Sequence, residues 1–375
     1  MSGLAEGIRS LLFSRGRHHP IPTLDGAYVP NNRLEELPAI GPAVARPDDV
    51  AAGMNGEMFA SGLNRLLRLS GPDLREQLVV ATFEAPITAL APLSDGTLAV
   101  AINGAGVRRV GADGSVAATL TEAGGSQLRC VTAIAEDKLH GGLYLAVGST
   151  RHDAEDWVVD LMECNRAGML VYWPRGAATA EILLSNLAYP NGLEVTDGGH
   201  SVLFTESWSH TLSRYHRGTN GCGGTERLID NIPGYPARIA PTSDGGHWLA
   251  IFAMRTQLIE LVLREPEFRR EMMRSVDPEL WIRPALRATG SYLEPLQGGG
   301  IKKLGIRKPW APPRAYGLVV RLNADCEPMF SFHSRVDGRN HGVMAAREIG
   351  HRLVIAVKGN DCLLAEDLTS TERLP

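Results

Sequence analysis

The chain has 375 residues and a net charge of −4, with 44% apolar and 21% charged residues. That length accommodates one large domain or two ordinary ones, and the near-neutral balance excludes a groove that tracks nucleic-acid phosphates. Its 41 Gly and 23 Pro exceed the usual combined share of about 12% and point to a turn-rich all-β protein, not to long helices or disorder.

The cysteines (Cys130, Cys164, Cys222, Cys326, Cys362) are odd in number, widely spaced and without a C-x-x-C. That pattern argues against a zinc cluster or a disulfide framework and for a reducing compartment. From Met1 to Pro22 a short apolar run is broken by Arg9 and Arg15, unlike the core of a signal peptide. No stretch approaches the roughly 20 apolar residues that cross a bilayer. The expectation is a cytoplasmic protein with a small-molecule substrate, and with neither nucleic acid nor a membrane as partner.

Residues 1–45 are punctuated by Pro and read as an N-terminal extension wrapping the outside of the main domain. Over 46–370, six segments share one grammar: an apolar strand, a Gly-containing turn, a second strand, then a third. They open at Pro47 (PDDVAAGMNGEMFASG), Ala85 (APITALAPLSDGTLAVAI), Arg129 (RCVTAIAEDKLHGGLYLAVGST), Pro190 (PNGLEVTDGGHSVLFTESWSHTLSRY), Pro236 (PARIAPTSDGGHWLAIF) and Gly342 (GVMAAREIGHRLVIAVKGND). One such unit cannot bury both faces alone, so units stack around an axis, and a recurrence of about 40–45 residues is that of propeller blades. The prediction is an all-β, six-bladed β-propeller. Helical insertions are predicted in blade three (151–166) and blade five (256–314), where Trp157, Val158, Leu161 and Met162, then Leu258, Leu261 and Val262, form amphipathic stripes.

The fourth and fifth segments, together with STRHDAEDWVVDLMECNRAGMLVYWP and KPWAPPRAYGLVVRLNADCEP, resemble the strictosidine synthase-like family of six-bladed propellers, related to gluconolactonases and paraoxonases. The resemblance runs from Asp25 to Leu368. It implies an enzyme acting on a small molecule in the axial funnel, by hydrolysis of a lactone or ester-like bond or by a related metal-independent addition or elimination. Amine–aldehyde condensation of the Pictet–Spengler type, and a non-catalytic ligand- or protein-binding propeller, are the alternatives.

In metal-dependent relatives of this family, calcium is held at the channel mouth by oxygen ligands that open successive innermost strands. Transferred residue by residue, the acidic pair matches Asp48 and Asp49, and the amide matches Asn191. In blade three the family's Asn-Asp falls on Cys130 and Val131. Where the family reads PGYPDN, this chain reads PGYPAR, so Ala237 and Arg238 replace the aspartate and the asparagine. The calcium site is therefore degenerate, with Asp48 and Asn191 left as ligands if a metal binds, and no cofactor is expected. Arg238 is expected to stand in for the ion as a tethered cation beside the two carboxylates. The glutamate of the plant synthase falls on Met344, which transfers no proton.

By the same resemblance, Arg238 and Asn191 are expected to stabilise developing negative charge, with Asp48, Asp49, His210 or His341 as acid–base groups. Trp208, Glu206, His152, Met344 and Cys130 complete the expected substrate-binding rim. For Cys130 a buried, small apolar role is the alternative.

Overall fold

Each repeated segment folds into one antiparallel sheet in the computed structural model, which describes residues 21–53, 56–218, 223–287, 302–303, 306–307 and 315–369. The six innermost strands are β1 (Val50–Ala52), β2 (Ile87–Pro92), β3 (Cys130–Asp137), β4 (Pro190–Thr196), β5 (Gly234–Pro241) and β6 (Val343–Ile349). Five sheets have four strands and the sixth has three. The sixth is completed by the chain ahead of blade one. Ala39 bridges Leu364 antiparallel, and Ile40 N–H donates to the Leu363 carbonyl at 2.9 Å. Farther upstream, Asn31 donates to the Ser331 carbonyl at 2.8 Å and Arg33 lies over the Phe332 ring, so this strap also grips blade five.

The described apolar core is not one mass but a cluster at each blade interface. Leu66 meets Leu90 and Val100 between blades one and two. Leu203 and Leu212 meet Ile239 and Leu249 between blades four and five. Val50 and Met58 meet Val354 and Ala356 where the ring closes. Burying these faces, at about 25 cal/mol per Å² of apolar surface, drives the stacking and leaves the axis to polar groups.

Blade three's insertion holds a 3₁₀ turn (Ala154–Asp156) and helix α1 (Trp157–Met162). Blade five's holds α2 (Gln257–Arg264), capped by Thr256 Oγ1 accepting from Ile259 N–H, and α3 (Pro266–Ser275), opened by its proline. Helix α1 spans its apolar stripe and no more, because Cys164 adopts a left-handed φ of 54° and ends the run. Residues 288–301, 304–305 and 308–314 of the expected insertion lie outside the described residues.

Five innermost strands share one irregularity. Their register breaks between Ile87 and Ala89, Val131 and Ala133, Pro190 and Gly192, Pro236 and Ile239, and Val343 and Ala345. Such a bulge leaves its extra residue out of the ladder and re-aims it. Thr88, Thr132, Asn191 and Met344 are so displaced singly, and Arg238 together with Ala237. Gly192 lets β4 approach β5 beside this ring: a Cβ there would lie 2.4 Å from the Ala237 carbonyl oxygen and 3.0 Å from the Arg238 Cα. Gly192→Ala is expected to cost about 1–3 kcal/mol by this overpacking. Urea unfolding measures it, and an unchanged midpoint would contradict the close approach.

Candidate functional site at the propeller axis

The bulged residues turn backbone carbonyls toward the axis, and one side chain serves them. Arg238 Nη1 donates to the Asp48 carbonyl at 2.8 Å and the Met344 carbonyl at 3.3 Å. Its Nη2 donates to the Thr132 carbonyl at 2.9 Å, to the Thr88 carbonyl and to Asp48 Oδ1 at 2.8 Å. Its Nε lies 3.1 Å from Asp49 Oδ2. One guanidinium on blade five thus binds blades one, two, three and six, with both terminal nitrogens hydrogen-bonded and Nε within ion-pair distance of Asp49. The side chain is 2% exposed.

Both carboxylates have second cationic partners. Lys358, in the turn after β6's hairpin partner, donates to Asp48 Oδ2. Arg347 Nε donates to Asp49 Oδ1 at 3.1 Å, and the N–H groups of Val50 and Leu90 donate to the same carboxylate. Burial alone would raise the pKa of Asp48, but Lys358 and Arg238 outweigh it and hold the group below the ordinary carboxylate value. Hydroxyls satisfy further inner-strand carbonyls: Thr88 Oγ1 donates to Val131 O at 2.5 Å, Thr132 Oγ1 to Pro190 O at 2.6 Å and Ser207 Oγ to Pro236 O at 2.6 Å.

Above the guanidinium lies a cavity of about 30 Å³, lined by Asp48, Asn191, Arg238, Met344 and Lys358 at its polar end and by Trp157, Tyr189, Phe252 and Leu286 on its walls. Asn191 Nδ2 donates to Ser207 Oγ at 3.2 Å. Burial pushes the Tyr189 phenol well above its ordinary pKa, so it remains protonated.

The strictosidine synthase family model matches residues 133–219. Among curated proteins, the chain is 26% identical over 254 residues to the adipocyte plasma membrane-associated protein of Danio rerio, covering 62% of this chain and 60% of that one. The alignment with the Salmo salar protein of the same name is 25% identical and covers 87% of this chain and 75% of that one. Strictosidine synthase-like protein 13 of Arabidopsis thaliana is 28% identical over 130 residues, 35% of this chain and 32% of that one. The chain therefore spans about three fifths of the zebrafish protein's length. The chain is a six-bladed β-propeller whose sequence is similar to strictosidine synthase-like proteins.

Solved structures agree on the fold. A gluconolactonase of Xanthomonas campestris superposes with a TM-score of 0.56 at 11% identity, covering 93% of this chain and 98% of that one. Regucalcin of Agrobacterium tumefaciens, described as a calcium-binding protein, superposes with a TM-score of 0.52 at 13% identity over 88% of this chain and 93% of that one. Both oxygens of Asp48 already face cations, a guanidinium lies against both carboxylates, and no group of three or more His, Cys, Asp or Glu that could hold a metal occurs among the described residues.

Of the residues singled out from sequence, Asp48, Asn191, Arg238 and Met344 converge on the cavity. Asp49 lies beneath it, fully buried, and anchors Arg238 and Arg347. Others go elsewhere. His210 Nδ1 donates to the Gly234 carbonyl at 3.0 Å, and with Trp208 the residue lines a separate cavity; burial, then Arg255, lowers its pKa to about 4. His341 is held against the Arg335 carbonyl at 2.7 Å, and His152 against Glu163 at 2.7 Å. Glu206 accepts from Ala188 N–H at 2.7 Å, fixing a turn.

Cys130 is fully buried and its thiol is pushed up to about 12, so it packs as an apolar residue. Thr132, two positions on, takes the axial place assigned to blade three. Thr88, Thr132, Lys358 and Arg347 escaped the sequence reading. The shared I-T-A-L at Ile87 and V-T-A-I at Val131 marks the two threonines.

No helix among the described residues is long and apolar enough to cross a membrane.

Arg238→Met would strand two buried carboxylates and four carbonyls, and is expected to destabilise the propeller by roughly 3–5 kcal/mol. Chemical denaturation reads this directly, and a loss near zero would remove Arg238 from the centre of the axis. Asp48 holds its proton less tightly when folded than when unfolded. Its stabilisation is therefore complete above the unfolded value of about 4 and drains away as pH falls below it. Unfolding free energies from neutrality downward should show this acid slope, and Asp48→Asn should flatten it.

Proposed function

We propose that the propeller is an enzyme that hydrolyses a lactone or ester-like bond at the axial mouth without a metal. The observation that carries this reading is the shared, aromatic-walled cavity of an ammonium, a carboxylate and a side-chain amide: Lys358, Asp48 and Asn191. In this scheme the Asp48 carboxylate accepts a proton from water as its oxygen attacks the substrate carbonyl carbon. Lys358 and the Asn191 amide meet the oxyanion that develops. Collapse breaks the carbonyl carbon–alkoxy oxygen bond, and the proton held on Asp48 passes to the leaving oxygen, giving a hydroxy acid or an alcohol and acid. Arg238, whose nitrogens are committed to the inner strands, positions Asp48 and does not meet the oxyanion itself.

About 30 Å³ is room for roughly two waters, so the reacting carbonyl enters while the substrate body rests on Trp157, Phe252 and Leu286. The description of the X. campestris fold neighbour as a gluconolactonase supports this reaction class. The four described free cysteines, Cys130, Cys164, Cys326 and Cys362, support a reducing cytoplasmic location. One observation favours a second, non-catalytic reading: the axial cavity is far smaller than the ~300 Å³ of ordinary ligand pockets.

A panel of lactones, aryl esters and an amine–aldehyde pair, each with and without EDTA, separates the readings. Hydrolysis that survives EDTA supports the proposal. Activity that disappears with EDTA and returns with calcium overturns it, and silence across the panel supports the binding module. Lys358→Met should lower kcat/KM by about 100-fold or more. The pH profile should hold level through neutrality and fall on the acid side only below the ordinary carboxylate range, because Asp48 stays ionised to unusually low pH.

A further inference from the structure

The roomiest cavity described around the insertions is not on the axis. It measures about 730 Å³ and lies between α1, the end of blade four and α2. Its lining carries four arginines, Arg166, Arg227, Arg255 and Arg264, against two carboxylates, Asp230 and Glu260. Glu260 is already claimed: Arg255 Nε and Nη2 donate to its two oxygens at 3.2 Å each, and His210 lies 3.7 Å away. Arg264 reaches that carboxylate only at 3.8 Å, with its side chain 38% exposed. Arg166 donates from Nε to the Asn186 carbonyl at 3.2 Å and from Nη1 to Ser209 Oγ at 3.4 Å, both neutral acceptors. It reaches Glu206 only at 3.6 Å, with its side chain 58% exposed. Their charges therefore face the cavity with little compensation. The opposite side is apolar, formed by Leu161, Leu263 and the Trp208 indole, which is stacked on Tyr189 at 4.3 Å.

We infer that this off-axis cavity binds a small organic anion, an apolar body carrying a carboxylate or phosphate group. The guanidinium groups of Arg166 and Arg264 take the anionic group, for which their planar donor pairs suit both carboxylate and phosphate geometry. Arg255, locked to Glu260, forms the fixed floor of the cationic side. The apolar body lies against Leu161, Leu263 and Trp208. A volume of this order is that of small-molecule sites generally, about 300–1,000 Å³. The site stands independently of the axial chemistry, because none of these arginines lines the axial cavity.

Isothermal titration of the full chain with phenyl phosphate, benzoate and neutral phenol tests the inference. Both anions should bind at one site, or one of them should if the site distinguishes phosphate from carboxylate, and phenol should bind at least about tenfold more weakly. The double variant Arg166→Gln/Arg264→Gln, at exposed positions, should weaken the anion about tenfold or more with unchanged thermal unfolding. Lys358→Met should leave the anion's affinity unaltered. Absence of saturable binding, phenol binding as tightly as the anions, full affinity in the double variant, or loss of binding in Lys358→Met would each overturn the assignment, the last by moving the anion to the axis.

Discussion

A single buried guanidinium sets the terms at the centre of this molecule. Desolvating Arg238 is costly unless each of its donors finds an acceptor and its charge finds an opposite. The bulged inner strands provide the acceptors as carbonyls, and Asp48 and Asp49 provide the charge. Those two carboxylates then need cations of their own on their outer sides, which Lys358 and Arg347 supply. Apolar packing at the axis would give comparable stability. What the ionic arrangement secures is position, since blades meeting at one planar group cannot slide past one another without losing it.

The two cavities divide the remaining chemistry between them. The axial one is narrow and holds an ammonium, a carboxylate and an amide at close quarters, a setting suited to a reaction at one bond. The off-axis one is wide and cationic, a setting suited to holding a molecule. They share a wall: Trp157 lines the axial cavity and Leu161, one helical turn later on the same face of α1, lines the off-axis one, with the Tyr189–Trp208 pair between them.

Blade positions were legible because Gly turns and short apolar runs act locally. The strands expected from Pro47, Ala85 and Gly342 begin at Val50, Ile87 and Val343. At the site, residues displaced by bulges in recognisable motifs were legible too, among them Asn191 of PNG and Arg238 of PARI. The histidines were not. His210 adopts a φ of 57°, and that backbone turn, invisible in residue type, directs its ring to a carbonyl on the adjacent blade. Lys358 sits in an ordinary-looking V-K-G-N turn, and only the ring's closure brings it to Asp48. Cys130 misses the axis because the bulge in β3 comes two residues after the position that matches the family motif.

The strap that completes blade six has a consequence in time. Its partner strand is Cys362–Asp367, whereas the strap itself, around Ala39, is among the earliest described parts of the chain to be synthesised. Lys358 and Asp48 are separated by 310 residues, and Arg347 and Asp49 by 298. On the ribosome, early blades can pair their strands as they emerge, yet their axial carbonyls and carboxylates must wait for partners still unmade. The last blade to leave the ribosome finishes the centre of the first.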